Sequence, residues 1–161
     1  MANEPEATIR PGAPRDAEAI HSILSESTEA SLWSVKSIED LFRQPGIAAL
    51  MAEMNDAAIG FILARWVAGE AEILNLAVRA AQRRKGHAGR MFQSLIERLQ
   101  EQGTTSIFLE VRESNATAIR FYQKLGFAQI GQRNGYYRQP PGNALTLEKK
   151  LESTGESSNR A

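Results

Sequence analysis

The stretch Ser106–Phe127, SIFLEVRESNATAIRFYQKLGF, sets a strand before a helix and puts a carboxylate inside the strand. Ile107, Phe108, Leu109 and Val111 read as a strand buried on both faces, with Glu110 among them. A buried carboxylate is costly unless it is partnered, hydrated or kept protonated. Either the strand ends there and Glu110 is solvated, or the cost supports chemistry. Ser114 or Asn115 then caps a helix carrying Ala118, Ile119, Tyr122 and Leu125 on one face, which Gly126 ends.

Outward from this stretch the period alternates. Met91, Phe92, Leu95, Ile96 and Leu99 form one apolar face of a helix over 86–102, and Gly103 stops it. Before it come three extended segments, IAALMAE, AAIGFILARWV and EAEILNLAV, joined by the short MNDA and AGE links of an antiparallel meander. EATIRPG reads as a first strand, and Ile20, Ile23 and Leu24 mark a helix within PRDAEAIHSILSES. Ser37 is the expected cap of a second helix, IEDLFRQ. FAQIGQR and ALTLEKKL read as a closing hairpin around the loop RQPPGN. The expectation is a flexible segment 1–7, one domain over 8–151 and a disordered tail 152–161. The domain is α/β, a mixed sheet with helices on its faces.

Composition removes several function classes. The chain's 161 residues suit one core, and 19 basic against 19 acidic residues leave no global field for nucleic acid or a membrane surface. Without cysteine there is no disulfide, thiolate metal site or cysteine nucleophile. No apolar run approaches the roughly 20 residues of a membrane span. MANEPEATIR lacks a signal-like apolar core, so a cytoplasmic location is expected. His21 and His87 have no second ligand at helical spacing, so no metal is expected and both read as structural or solvated.

Between EILNLAV and the long helix lies RRKGHAG, Arg83 to Gly89. Gly86, Ala88 and Gly89 leave the backbone uncovered, the helix adds its positive end, and Arg83, Arg84 and Lys85 add charge. This suits a diphosphate. The spacing is neither that of a Walker loop nor G-x-G-x-x-G. The competing reading is a basic helix start that binds nothing.

These residues resemble the GNAT superfamily of acyl-CoA-dependent N-acetyltransferases. Arg83, Gly86 and Ala88 fit its Q/R-x-x-G-x-G/A signature, and LEVRESNATAIRFYQKLGF looks like the matching stretch of bacterial ribosomal-protein alanine N-acetyltransferases of the RimI type. LWSVKSIEDLF and RNGYY resemble further segments of that group. The resemblance implies a mixed, mostly antiparallel sheet of about seven strands with about four helices. It implies that the backbone of Leu76, Ala77 and Val78 holds the pantetheine of acetyl-CoA. Arg84, Lys85, Gly86, His87, Ala88 and Gly89 would hold its diphosphate, and Asn115 would contact it. Glu110 would be the general base and Tyr122 the general acid. Trp33, Tyr136 and Tyr137 would line a groove for an acceptor protein N-terminus, by resemblance that of a ribosomal protein.

Two departures bear on the acceptor. Gly135 splits Asn134 from the tyrosine pair, and Arg138 and Asn143 stand where the group has proline and an acid. Each role also has a plainer reading: a wet strand end for Glu110, core packing for Tyr122, an N-cap for Asn115 and surface packing for the aromatic residues. A small-amine acceptor, or a non-catalytic CoA-binding module, remains open at this point.

Overall fold

Local chemistry accounts for most element boundaries. The computed structural model describes residues 5–27 and 32–152. The N-terminal residues 1–4, the tail from 153 onward and Glu29 lie outside the described residues. The chain divides into two compact units, residues 1–65 with 74–98, and residues 66–73 with 99–161.

The first unit contains β1 (Thr8–Pro11), α1 (Ala17–Ser25), α2 (Val35–Phe42) and β2 (Ile47–Met54). It also holds most of β3 (Ala57–Val67), β4 (Glu70–Val78) and α3 (His87–Glu101). Its strands follow the order β1-β2-β3-β4, with β1–β2 and β2–β3 antiparallel. Two-residue turns close the meander. Asn55 and Asp56 have φ of 52° and 62°, and Ala68 and Gly69 have 49° and 84°. Paired left-handed residues of this kind match the twist of the flanking strands.

Ile20, Ile23 and Leu24 of α1, Ile38 and Leu41 of α2, and Met51, Phe61 and Leu63 of the strands form its core. The cap of α2 is Ser34 and not Ser37: Ser34 is extended, and its hydroxyl accepts from the Ser37 amide at 3.1 Å. A cap residue must lie outside the helix to reach that amide, so the helix starts earlier than the apolar spacing indicates. Asp16 is buried just before α1 and accepts from Arg10 Nη1 at 2.9 Å, Arg10 Nη2 at 2.7 Å and the Ala13 amide at 2.8 Å. Those bonds to a guanidinium hold the Asp16 carboxyl below its ordinary range.

The second unit contains β5 (Ser106–Arg112), α4 (Ala116–Lys124), β6 (Ala128–Arg138) and β7 (Pro141–Lys150). Its order is β4-β5-β7-β6. β4 and β5 pair in parallel over Glu70–Glu72 and Ser106–Phe108, whereas β7 pairs antiparallel with the whole of β5 and with β6. Among the described residues, seven strands and four α-helices thus give the expected mixed, mostly antiparallel α/β fold.

Two expectations change here. First, β5 alternates strictly: Ile107, Leu109 and Val111 are buried, while Ser106, Phe108, Glu110 and Arg112 lie on the half-exposed face. Phe108 therefore does not mark a strand buried on both sides. Second, the closing hairpin is longer than its apolar residues indicate, leaving only Gln139 and Pro140 between β6 and β7. The RNGYY segment belongs to β6, at the free edge of the sheet.

Candidate active site

Glu110 lies on β5 opposite Thr146 of β7, on the face that the alternation leaves half open. Its side chain is only 18% exposed, so its contacts matter more than those of a wet edge residue. Oε1 is 3.3 Å from Arg133 Nε, while Oε2 is buried and has no hydrogen-bond partner. An acceptor oxygen left so costs about 1–3 kcal/mol unless a donor arrives. Such an oxygen is chemically able to accept a hydrogen bond or a proton.

The same face gathers the tyrosine pair. Tyr136 and Tyr137 meet edge to face at 5.1 Å, the Arg112 guanidinium stacks 4.0 Å over Tyr137, and that of Arg133 lies 5.5 Å from the Tyr136 ring centre. Burial, then Tyr136, then Glu110 push the Tyr137 phenol up, opposed by Arg112. Glu110, Tyr136 and Tyr137 thus form one cluster joined by Arg112 and Arg133. Neither arginine was legible as a site residue. Each reaches its partners through strand pairing rather than sequence proximity: Arg112 and Arg133 both face Ala144 of β7.

The two departures noted in the sequence explain each other. Pairing between β6 and β7 is interrupted between Arg133 and Tyr137, where Gly135 takes a φ of 66°. Such a bulge re-aims the residues after it. The Gly135 amide donates to Asn143 Oδ1 at 2.9 Å, and Asn143 Nδ2 donates to Glu113 Oε2 at 3.1 Å. An amide accepts from one and donates to the other, which an ionised carboxylate cannot do. Asn143 is therefore the bulge lock, and an acid there would face Glu113.

Tyr122 is buried on α4, with its ring edge-on to Phe121 at 5.1 Å and Phe127 at 5.4 Å. Burial pushes its phenol well above the ordinary range. Asn115 caps α4, its Oδ1 accepting from the Ala118 amide at 3.1 Å. The cap uses the oxygen, so the side-chain amide nitrogen keeps two donors for a ligand.

In the first unit, Arg84 and Gly86 take left-handed φ values of 63° and 84° before α3 begins at His87. Arg84, Lys85 and Gly86 are exposed, and Ala88 and Gly89 are half-buried. A β-carbon at Gly86 or Gly89 would meet no atom within 4 Å, so the helix start is an open backbone cradle. It carries the chemistry a diphosphate needs. His87 is buried, and with Lys85, Ala7, Met54 and Arg90 it borders a recess of about 570 Å³.

Arg83 does something else. Its Nε donates to the Val78 carbonyl and its Nη2 to the Glu26 carbonyl, both at 3.1 Å, which ties the loop to β4 and to the end of α1. The Leu76 amide likewise donates to Asn75 Oδ1 at 3.0 Å. Two of the backbone groups expected to hold pantetheine therefore have partners in this structure, while Ala77 is buried. Trp33 packs on the first core, and its carbonyl accepts from His21 Nδ1 at 2.7 Å. Among the described residues no helix is long and apolar enough to cross a membrane, and no group of His, Asp or Glu could hold a metal ion.

Comparison with known proteins decides the family. The sequence profile of the Acetyltransferase (GNAT) family matches residues 17–127. The chain belongs to this family. It is 30% identical over 132 residues to a Salmonella typhimurium protein named ribosomal protein bS18-alanine N-acetyltransferase, covering 76% of this chain and 89% of that one. A Haemophilus ducreyi protein of the same name is 39% identical over 88 residues, or 55% of this chain, and the match spans only 61% of that relative's length. The crystal structure of the ribosomal-protein-S18-alanine N-acetyltransferase of Escherichia coli superposes with a TM-score of 0.85 at 27% identity, covering 94% of this chain and 98% of that one. The GNAT profile takes in the anion loop, Glu110, Asn115 and Tyr122, and ends before the tyrosine pair.

Proposed function

We propose that this chain transfers the acetyl group of acetyl-CoA to the N-terminal amine of a protein, by direct attack in a ternary complex. By likeness to the relatives named for bS18 alanine acetylation, the acceptor is an N-terminal alanine of a small-subunit ribosomal protein. The observation that carries the reading is the buried, unpartnered Oε2 of Glu110 beside the tyrosine pair.

An amine attacks a thioester only as the free base, and a peptide α-amino group has a pKa of about 8. Glu110 Oε2 accepts its proton, directly or through one water, as the C–N bond forms and the C–S bond breaks. A thiol with a pKa near 8.5 is already a stronger acid than a phenol near about 10. Burial widens that gap for Tyr122. Tyr122 therefore acts as the donor that hydrogen-bonds the departing thiolate, and the proton taken by Glu110 returns through solvent. The cradle from Arg84 to Gly89 would hold the diphosphate, and by resemblance Asn115 would contact the coenzyme. By resemblance, the backbone of Leu76–Val78 would hold the pantetheine arm, and Trp33, Tyr136 and Tyr137 would contact the acceptor.

The test is acetyl-CoA turnover by the wild type, Glu110→Gln and Tyr122→Phe, on peptides starting with Ala, Ser or Met and on polyamines and free amino acids. Turnover on the Ala peptides, lost in Glu110→Gln with CoA affinity retained, is expected. Turnover on small amines alone would move the acceptor class. CoA binding without turnover on any amine would leave a binding module.

A further inference from the structure

The cradle proposed for the diphosphate is open, so packing does not shape it. Arg84, Lys85 and Gly86 are exposed, and a β-carbon at Gly86 or Gly89 would meet nothing within 4 Å. Arg84 nevertheless takes a φ of 63°, in the left-handed region. A residue with a side chain is strained there and persists only where its surroundings over-determine the backbone. The fixing bonds lie just upstream, and Glu26, the C-cap of α1, accepts several of them. Its Oε2 accepts from Arg79 Nη1 at 2.6 Å, its Oε1 from the Ala80 amide at 3.1 Å, and its carbonyl from Arg83 Nη2 at 3.1 Å. Residues 79, 80 and 83 belong to the short run of chain between β4 and Arg84. Arg79 is itself seated, with Nε donating to the Ala58 carbonyl of β3 at 2.8 Å and Nη1 also to Ser22 Oγ of α1 at 3.2 Å. The Glu26 carboxylate therefore meets a guanidinium whose direction is already set.

We infer, resting on the reading of Arg84–Gly89 as the diphosphate cradle, that Glu26 is a positioning residue for acetyl-CoA: it holds the loop before α3 in the shape that the diphosphate meets. It acts through Arg79, Ala80 and Arg83. Backbone amides bind an anion only when they converge on it. A loop that must be ordered as the ligand arrives loses affinity that a preformed loop keeps. The rival role for Glu26 is stability alone. Its side chain is 33% exposed and that of Arg79 30% exposed, and ion pairs with this access to water add little to folding. A residue that adds little to folding, yet fixes the approach to a binding loop, has its effect in binding. The Arg79 bond, and then the Ala80 amide, hold the Glu26 carboxyl below its ordinary range. Glu26 is thus an anion wherever the reacting amine is neutral.

The test compares two acetyl donors, acetyl-CoA and S-acetylpantetheine, which share the thioester and the pantetheine and differ in the diphosphate and nucleotide. Wild type, Glu26→Ala and Glu26→Gln are assayed with each donor on one Ala-starting peptide, and each protein is titrated calorimetrically with CoA and melted. In Glu26→Ala, KM for acetyl-CoA and Kd for CoA should rise about tenfold, the usual worth of a hydrogen bond to a charged group. Its kcat should hold, and its kcat/KM for S-acetylpantetheine should change far less. Glu26→Gln has the same shape and keeps an acceptor for the Ala80 amide without a charge for Arg79, so it should lie between the two. A merely structural role would lower turnover of both donors together, in step with the melting temperature. That result, or equal CoA affinity in all three proteins, overturns the inference. A wild type that uses the two donors equally well overturns the reading on which it rests, because no diphosphate is then being held.

Discussion

Asn143→Asp changes one heavy atom and breaks the outer half of the bulge lock. The Gly135 amide, 2.9 Å away, still has an acceptor, but the donation to Glu113 Oε2 across 3.1 Å is gone and a second carboxylate oxygen takes its place. Two unit charges at about 3 Å repel by roughly 1.4 kcal/mol in bulk water and about 5.5 kcal/mol at an effective dielectric constant of 20. Glu113 is exposed and Asn143 half-buried, so the low end applies. With the lost hydrogen bond at about 1 kcal/mol, the variant should be less stable by about 2–3 kcal/mol at pH 7. Each carboxyl then has a raised folded-state pKa. The penalty is complete above those raised values and fades as pH falls from them to the unfolded value of about 4. Urea unfolding of both proteins at pH 7 and pH 3.5 measures this. Equal stability at pH 7, or a deficit unchanged at pH 3.5, would mean that Asn143 does not hold the bulge.

Three further outcomes follow from the same geometry. A β-carbon at Gly60 would lie 3.0 Å from Met91 Cε and 3.1 Å from the Ala77 carbonyl oxygen. Gly60→Ala should cost about 1–3 kcal/mol by overpacking and weaken the CoA binding proposed at β4, and unchanged calorimetric values for both would contradict it. Because Asp16 is held below its ordinary range by Arg10, its contribution is present above about pH 4 and lost as pH falls. Asp16→Asn should cost about 2–3 kcal/mol at pH 7 and show a shallower acid limb in urea midpoints; parallel limbs would contradict it. Because burial keeps Tyr122 protonated, kcat/KM should rise with the acceptor amine near pH 8 and stay level to about pH 10. A fall centred near pH 9 would show that Tyr122 titrates there.

The residues that were legible in sequence are those whose cause is local. The left-handed pairs at Asn55–Asp56 and Ala68–Gly69, the apolar face of α3 and the cap at Asn115 all act over four residues or fewer, and all are present. β6 was half missed because neither of its faces is covered. Its residues are almost all exposed, so no alternation announces that RNGYY continues it. Arg133 was missed for a related reason, since its link to Glu110 is made across β7 and leaves no spacing to read. Arg83 shows the reverse error. Its charge reads as part of an anion site, yet its guanidinium is spent on two carbonyls of its own chain.

The cap at Asn115 has a consequence for the thermodynamics of ligand capture. An asparagine on the surface ordinarily gives up rotamer freedom when a ligand fixes it. Here the Oδ1 bond to the Ala118 amide has already fixed the side chain when α4 forms, so Nδ2 presents its hydrogens without that entropic loss. Folding and affinity are thereby separable at one position. Aspartate would cap the helix as well as asparagine, but it would bring a negative charge to the coenzyme contact proposed for Asn115, where the native residue offers a donor. A change silent in every stability measurement would then be visible in binding alone.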